Sequence, residues 1–187
     1  MMHIIQTSRL ILTPYAEADR AHVVALHGDP VVMDYMKDSR PLTEAEATQE
    51  HARYLHAWAR DGFGIFTVRN CADDQLIGEC GCWLRGDKPG VSMRYLLFQE
   101  YWGQGFGSEM AAAATAWLFK TTHVTSFWAV TQARNKASVA LLRRLGAVVT
   151  ETAHMGKDGL WRFDITRDAW QARPAGAEDQ ENADPTD

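Results

Sequence analysis

The chain has 187 residues, 46% of them hydrophobic and 23% charged, with a formal net charge of −5. That length suits one domain with its own core, and the composition is that of a packed globular protein rather than a disordered or fibrous one. The acidic balance argues against a nucleic-acid-coating surface; with no apolar stretch near the roughly 20 residues of a membrane span and no secretory pattern at the N-terminus, a cytoplasmic protein with an amine-bearing partner is expected.

Leu10 and Leu12 alternate with polar neighbours over 7–14, which predicts a short first strand that Pro14 ends. A helix is expected over 17–27, closed by Gly28-Asp29-Pro30. Thr43 with Glu46 three residues on makes a capping box, and Ala47, Tyr54, Leu55 and Trp58 mark one face of a second helix. Residues 65–69, 76–84 and 91–98 read as three strands joined by polar turns short enough for antiparallel hairpins. Cys80 and Cys82 share a face of the middle strand and read as small buried side chains. With Cys71 they are too few for a disulfide framework, and no cysteine or histidine spacing suggests a metal site.

A Gly-rich loop then runs into a helix carrying Met110, Ala113, Ala114, Trp117 and Leu118, followed by a strand over 126–131, a unit that implies a parallel pair. Asn135 reads as the N-cap of another helix that turns Val139, Leu142 and Leu145 inward and stops at Gly146. Closing strands over 147–153 and 160–166 are joined across Gly156-Lys157-Asp158-Gly159. The pattern β-α-α-β-β-β-α-β-α-β-β describes an α/β (α+β) domain over residues 1–170. Over 171–187 five carboxylates oppose only Arg173, and an acidic, flexible tail is expected.

The strand-loop-helix junction carries the chemistry. Gly103, Gly105 and Gly107 let the backbone approach a ligand and adopt positive φ, and the exposed N–H groups of the first helical turn suit a pyrophosphate. A plain connecting turn is the competing reading. Against it, residues 110–150 hold five basic side chains and no acidic one, in a chain whose net charge is negative. A dinucleotide fingerprint fails because Ser108 and Met110 stand where a small third residue is required, and the acid-free stretch lacks the ribose-binding carboxylate; no Walker pattern occurs.

Three segments together resemble the GNAT acetyltransferase superfamily, most closely its RimJ/RimL-type branch: Thr7-Ser8-Arg9-Leu10-Ile11-Leu12; Tyr101-Trp102-Gly103-Gln104-Gly105-Phe106-Gly107-Ser108-Glu109; and Asn135-Lys136-Ala137-Ser138 with Leu145-Gly146-Ala147. The resemblance implies a mixed, splayed central sheet of about seven strands flanked by about four helices, with the strands at 91–98 and 126–131 parting to admit the pantetheine arm of acetyl-CoA. It implies that backbone groups at Tyr95 and Leu97 bind that arm and the amides of Trp102 through Ser108 the pyrophosphate, while Asn135 orients the cofactor and Ser138 lies near its sulfur. One departure stands out. Where relatives often carry a glutamate, an apolar residue, glycine and tyrosine, this chain has Ser92-Met93-Arg94-Tyr95, so no general base carries over to that strand.

Acyl transfer to an amine needs a neutral nitrogen, an oxyanion donor and a proton for the thiolate. Glu79, an acid inside an apolar strand, is the first candidate base, with an idle exposed position as the bland alternative. Ser138 is the candidate proton donor, or a hydroxyl that only touches the cofactor, and the N–H near Leu97 is the candidate oxyanion donor. Trp58, Trp83, Trp102, Trp128, Trp161 and Tyr35 read first as core, with some free to line an acceptor groove. The expected activity is N-acetylation of a peptide N-terminus or a small amine. A longer acyl donor or a non-catalytic acyl-CoA sensor are the alternatives, and a homodimer is compatible with an uncovered sheet edge.

Overall fold

The computed structural model describes residues 3–36, 38–153 and 159–173. In chain order they form β1 (Ile5–Gln6), β2 (Leu10–Pro14), α1 (Arg20–Gly28, entered through a 3-10 turn at Glu17–Asp19), α2 (Pro30–Met33), α3 (Glu44–Asp61), β3 (Ile65–Asn70), β4 (Leu76–Trp83), β5 (Ser92–Leu97), α4 (Phe106–Thr121), β6 (Ser126–Gln132), α5 (Lys136–Arg144), β7 (Val148–Ala153), β8 (Leu160–Thr166) and α6 (Arg167–Ala172). Gly156, Lys157 and Asp158 of the expected closing turn, and the acidic segment from 174 onward, lie outside the described residues. No helix among the described residues is long and apolar enough to cross a membrane.

The expected class holds, and the additions to it are short pieces with local causes. The strand expected over 7–14 begins only at Leu10 and a further short strand precedes it, because the Thr7 hydroxyl accepts from the Leu10 N–H at 2.9 Å and turns the chain between β1 and β2. The Gly28-Asp29-Pro30 stop also restarts a helix: Asp29 accepts from the N–H groups of Val31 and Val32, with Pro30 at the position where a missing N–H costs nothing. Thr166 caps α6 through the N–H of Ala169.

The eight strands lie in the order β1-β2-β3-β4-β5-β6-β8-β7. All neighbours are antiparallel except β5 and β6, and that pair is anomalous. β4 and β5 share a ladder from Gly78↔Leu97 to Trp83↔Ser92, and β6 and β8 one from Ser126↔Thr166 to Gln132↔Leu160, but β5 meets β6 only at Ser92↔Trp128. Beyond that point the two strands diverge, and the β5 edge through Leu97 has no strand partner. The sheet is thus two antiparallel halves joined at one register pair.

Side chains alternate across this sheet with the two-residue period of a strand. On one side α1 and α3 pack Val23, Ala47, Tyr54 and Ala57 against Tyr15, Ile65 and Trp83. On the other, α4 and α5 bury Met110, Ala114, Leu118 and Leu142 against Leu10, Val68, Cys80, Cys82 and Phe163. Cys80 and Cys82 are free and buried, and burial pushes both thiols up, in keeping with a packing role. The Thr43 capping box forms on α3, the threonine hydroxyl accepting from the Glu46 N–H while Glu46 accepts from that of Thr43.

Candidate active site

The Gly-rich junction adopts the conformation its glycines allow. Gly103 and Gly105 have φ of +70° and +80°, and Gly105 caps α4 with no side chain bonded to the first-turn N–H groups. Those donors and the dipole of a 16-residue helix behind them are therefore open to an anion. Three ties hold the loop: the Trp102 indole donates to the Leu97 carbonyl at 2.8 Å, the Gln104 amide to the Glu100 carbonyl at 2.7 Å, and Arg9 Nη1 to the Gln104 carbonyl at 2.8 Å.

Below the loop lies a cavity of about 530 Å³. It is bounded by Tyr95, Leu97, Trp102, Gly103, Gly105, Gly107, Ser108, Asn135 and Ser138, so nine of the expected cofactor-binding positions come together around one space. Gln104 and Phe106 do not line it. Gln104 is exposed, and Phe106 is buried in the core under the Arg9 guanidinium, 4.4 Å from its ring centre. Of the five basic residues in the acid-free stretch, Arg134, Lys136 and Arg144 line the cavity, and Arg144 donates to the Ser108 hydroxyl at 3.1 Å. The same stretch places Lys120 at the far end of α4.

Asn135 caps α5 by accepting from the Ser138 N–H at 3.0 Å, which seats the Ser138 hydroxyl 2.5 Å from that of Tyr95. Burial pushes the Tyr95 phenol well up, only partly offset by the Ser138 bond, so the pair stays protonated across the neutral range. A second cavity, of about 270 Å³, opens through the split between β5 and β6 and shares Tyr35, Tyr95, Leu96, Asn135 and Ser138 with the first. The hydroxyl pair thus sits where two cavities meet.

Glu79 is not there. The structure buries it completely on the α1 and α3 side of β4, where its carboxylate accepts from Tyr15 and Tyr54 at 2.8 Å each and bonds His27 Nε2 at 3.0 Å. Burial alone raises its pKa, but His27, Arg94 and Tyr15 outweigh that and hold it down to about 2. A carboxylate so acidic, with both oxygens engaged and lining neither cavity, has the surroundings of a structural anchor rather than those of the expected base. The acid in the apolar strand had found buried partners, on helices too distant in sequence to be read.

Arg94, at the position where the resemblance implies a glycine, reaches across the same face to Glu50 and donates to the Tyr54 hydroxyl at 2.8 Å. Of the aromatic residues, Tyr35 lines both cavities, Trp102 the first, and Trp83 and Trp128 the second, while Trp58 and Trp161 pack against the core. Sequence reasoning missed Arg9 as a part of the site and named Tyr35 only among the aromatics free to line an acceptor groove. Among the described residues no three His, Cys, Asp or Glu side chains gather as a metal site.

The profile of the Acetyltransferase (GNAT) domain family matches residues 9–148. The FsC-acetyl coenzyme A-N(2)-transacetylase of Aspergillus fumigatus is 27% identical over 186 residues, spanning 89% of this chain and 77% of that protein. Among solved structures, an acetyltransferase from Agrobacterium tumefaciens superposes with a TM-score of 0.77 at 20% identity, covering 89% of this chain and 96% of that one. A RimL ribosomal alpha-N-protein acetyltransferase in complex with coenzyme A superposes with a TM-score of 0.74 at 14% identity, covering 89% and 99%.

Proposed function

The chain belongs to the GNAT acetyltransferase domain family, and from that premise we propose that it moves an acetyl group from acetyl-CoA to a primary amine by direct attack, donor and acceptor entering the two connected cavities from opposite sides. The observation that carries this reading is the meeting of those cavities at Tyr95 and Ser138, beside a helix N-terminus left open by Gly105. The coenzyme named for the Aspergillus relative supports the choice of donor. The Thr7-Ser8-Arg9 segment and the Asn135 to Ser138 turn favour the RimJ/RimL-type branch.

The residues present fit the group. The Trp102 amide is taken by the Gln99 carbonyl, but the amides at Gly103 through Ser108, with Arg134, Lys136 and Arg144 around them, match a pyrophosphate, and the edge of β5 at Tyr95 and Leu97, without a strand partner among the described residues, matches an extended amide-bearing arm. Acetyl-CoA, when bound, supplies an activated acyl carbon. The chain's own part is to hold that carbon at the split, offer the N–H near Leu97 to developing negative charge, and keep a proton on the Tyr95–Ser138 pair for the departing sulfur.

None of the five residues shared by the two cavities is a carboxylate that could strip the ammonium. Working at neutral pH therefore suits an acceptor that is partly neutral already: an α-amine near pKa 7.8 costs about 1 kcal/mol to deprotonate at pH 7, a lysine-like amine about 4.6 kcal/mol. We accordingly place α-amines, of a peptide or a small molecule, ahead of side-chain amines as acceptors.

The test is thiol release from acetyl-CoA against N-terminal peptides, amino acids, polyamines and aminoglycosides, with calorimetry of CoA binding to the wild type and to Gly105→Glu. Turnover on one amine class, with binding lost in the variant, is the expected result. Tight CoA binding without turnover on any amine assigns the chain instead to acyl-CoA sensing, and absence of CoA binding to the wild type overturns both.

A further inference from the structure

We propose that the acceptor carries a carboxylate as well as its amine, and that Arg94 receives this carboxylate in the smaller cavity; the inference builds on the acyl-transfer reading above. The cavity wall is made by the facing pair Trp83↔Ser92 across β4 and β5 and by Arg94, two residues on from Ser92 and therefore on the same face. Arg94 stands opposite Gly81, and its guanidinium lies 5.7 Å from the Trp83 ring centre.

Each of these three side chains has hydrogen-bonding capacity that the described residues do not use. The hydrogen bonds of Arg94 all leave from Nη1, to Glu50 and Tyr54, so the other two nitrogens of the fork make none among the described residues. The Trp83 indole N–H and the Ser92 hydroxyl, both in residues no more than 3% exposed, likewise find no partner there. Donors left unpaired are costly, and the two uncommitted nitrogens of Arg94, in a cavity wall, fit a polar ligand.

Donors call for an acceptor group. Arg94 already stands near two carboxylates, Glu50, which it shares with Arg53 at 3.3 Å, and Glu79, on the other side of the Tyr54 hydroxyl. Toward the mouth, Arg85, Lys88 and Arg162 stand beside Asp87 and Glu151, and Arg162 is paired with Asp164 at 3.0 Å. Arg85 is paired with Asp87, and Arg162 and Lys88 flank the face of Trp128, 5.1 and 5.8 Å from its ring centre. A planar guanidinium with donors to spare is built to take a carboxylate in a two-point bond. The strand then carries Tyr95 one residue further on, so an amine tethered to that carboxylate by a short chain is delivered to the split.

The experiment uses matched acceptors that differ only in the carboxylate: free α-amino acids against their α-carboxamides, and tripeptides with Asp against Asn at the second position. A preference of about 10- to 100-fold in kcat/KM for the carboxylate member is expected, and it collapses in Arg94→Gln. Preference in the amino-acid pair assigns the α-carboxylate; preference in the tripeptide pair assigns an acidic peptide side chain. Because Arg94 also braces Glu50, the double variant Glu50→Gln/Arg94→Gln, which leaves no lone buried charge, is measured beside it. Calorimetry of CoA-saturated protein with an N-acetyl amino acid and its amide gives a readout free of turnover. Turnover on amines with a carboxylate-to-amide ratio near one overturns the inference and leaves acyl transfer standing. Carboxylate-selective binding that the double variant abolishes, without turnover on any amine, supports the cavity assignment while removing the acyl-transfer reading.

Discussion

Arg9 Nε lies 2.6 Å from the Glu109 carboxylate, tying the turn before β2 to the first turn of α4. Glu109 also accepts from the Thr7 hydroxyl at 2.5 Å and the Arg9 N–H at 3.1 Å, while Arg9 reaches on to the Gln104 carbonyl and covers Phe106. The acid that a helix N-terminus would offer against an incoming phosphate is thereby turned away from the cavity, and the glycine loop is held from behind.

Arg9→Ala is expected to weaken CoA binding several-fold and to lower stability by about 1 kcal/mol, the order of a partly exposed charge-assisted pair. Calorimetry and denaturant unfolding read the two effects. Loss of stability with unchanged CoA affinity would show that the tie does not shape the loop.

Glu79→Gln removes the charge around which His27, Tyr15 and Tyr54 are arranged and is expected to cost about 3 kcal/mol. The carboxyl is held from 4.5 down to about 2 in the folded chain, so it binds its proton more weakly folded than unfolded. Its contribution to stability is complete above about pH 4.5 and is lost as pH falls toward 2. Denaturant midpoints measured from pH 6 to pH 2 should therefore fall less steeply in the variant than in the wild type. Turnover per folded molecule should survive; its abolition would return Glu79 to a catalytic role.

Tyr95→Phe and Ser138→Ala are each expected to lower kcat by about 10- to 100-fold, the range of a single positioned proton donor, with CoA affinity nearly unchanged. The double variant should fall no further than the more damaged single one, because the two hydroxyls act as one unit. Additive losses would mean that they act separately.

Gly78→Ala tests how closely β4 and β5 approach. An added Cβ would stand 2.2 Å from the Leu96 carbonyl oxygen, a contact that only a shift of β5 relieves. A stability loss of about 3 kcal/mol is expected. Since Leu96 lines both cavities, CoA affinity in the folded variant should fall as well. A folded variant with wild-type affinity would show that the split tolerates movement of β5.

Elements signalled by neighbours in the chain were legible in the sequence. Thr43 and Glu46 start α3 by bonding each other three residues apart, and Asn135 starts α5 the same way through Ser138. The glycines at 103 and 105 allow the positive φ that opens the start of α4. Asp29 was legible only as half of a stop, because the same short-range bonds that end one helix begin the next.

Residue types and local spacing thus determined on their own the class of fold, the order of its main elements and the glycine loop that opens the start of α4, since each rests on contacts within a few residues. Tertiary structure alone decided what the charged groups do. Glu109 is taken by Arg9 from 100 residues away, Arg94 meets Glu50 from 44 away, and Glu79 is sealed by His27 from 52 away. A side chain's charge and hydrogen-bonding capacity are settled by whichever partner packs beside it, and that partner is chosen by the fold of the whole sheet rather than by the residues next to it in the chain.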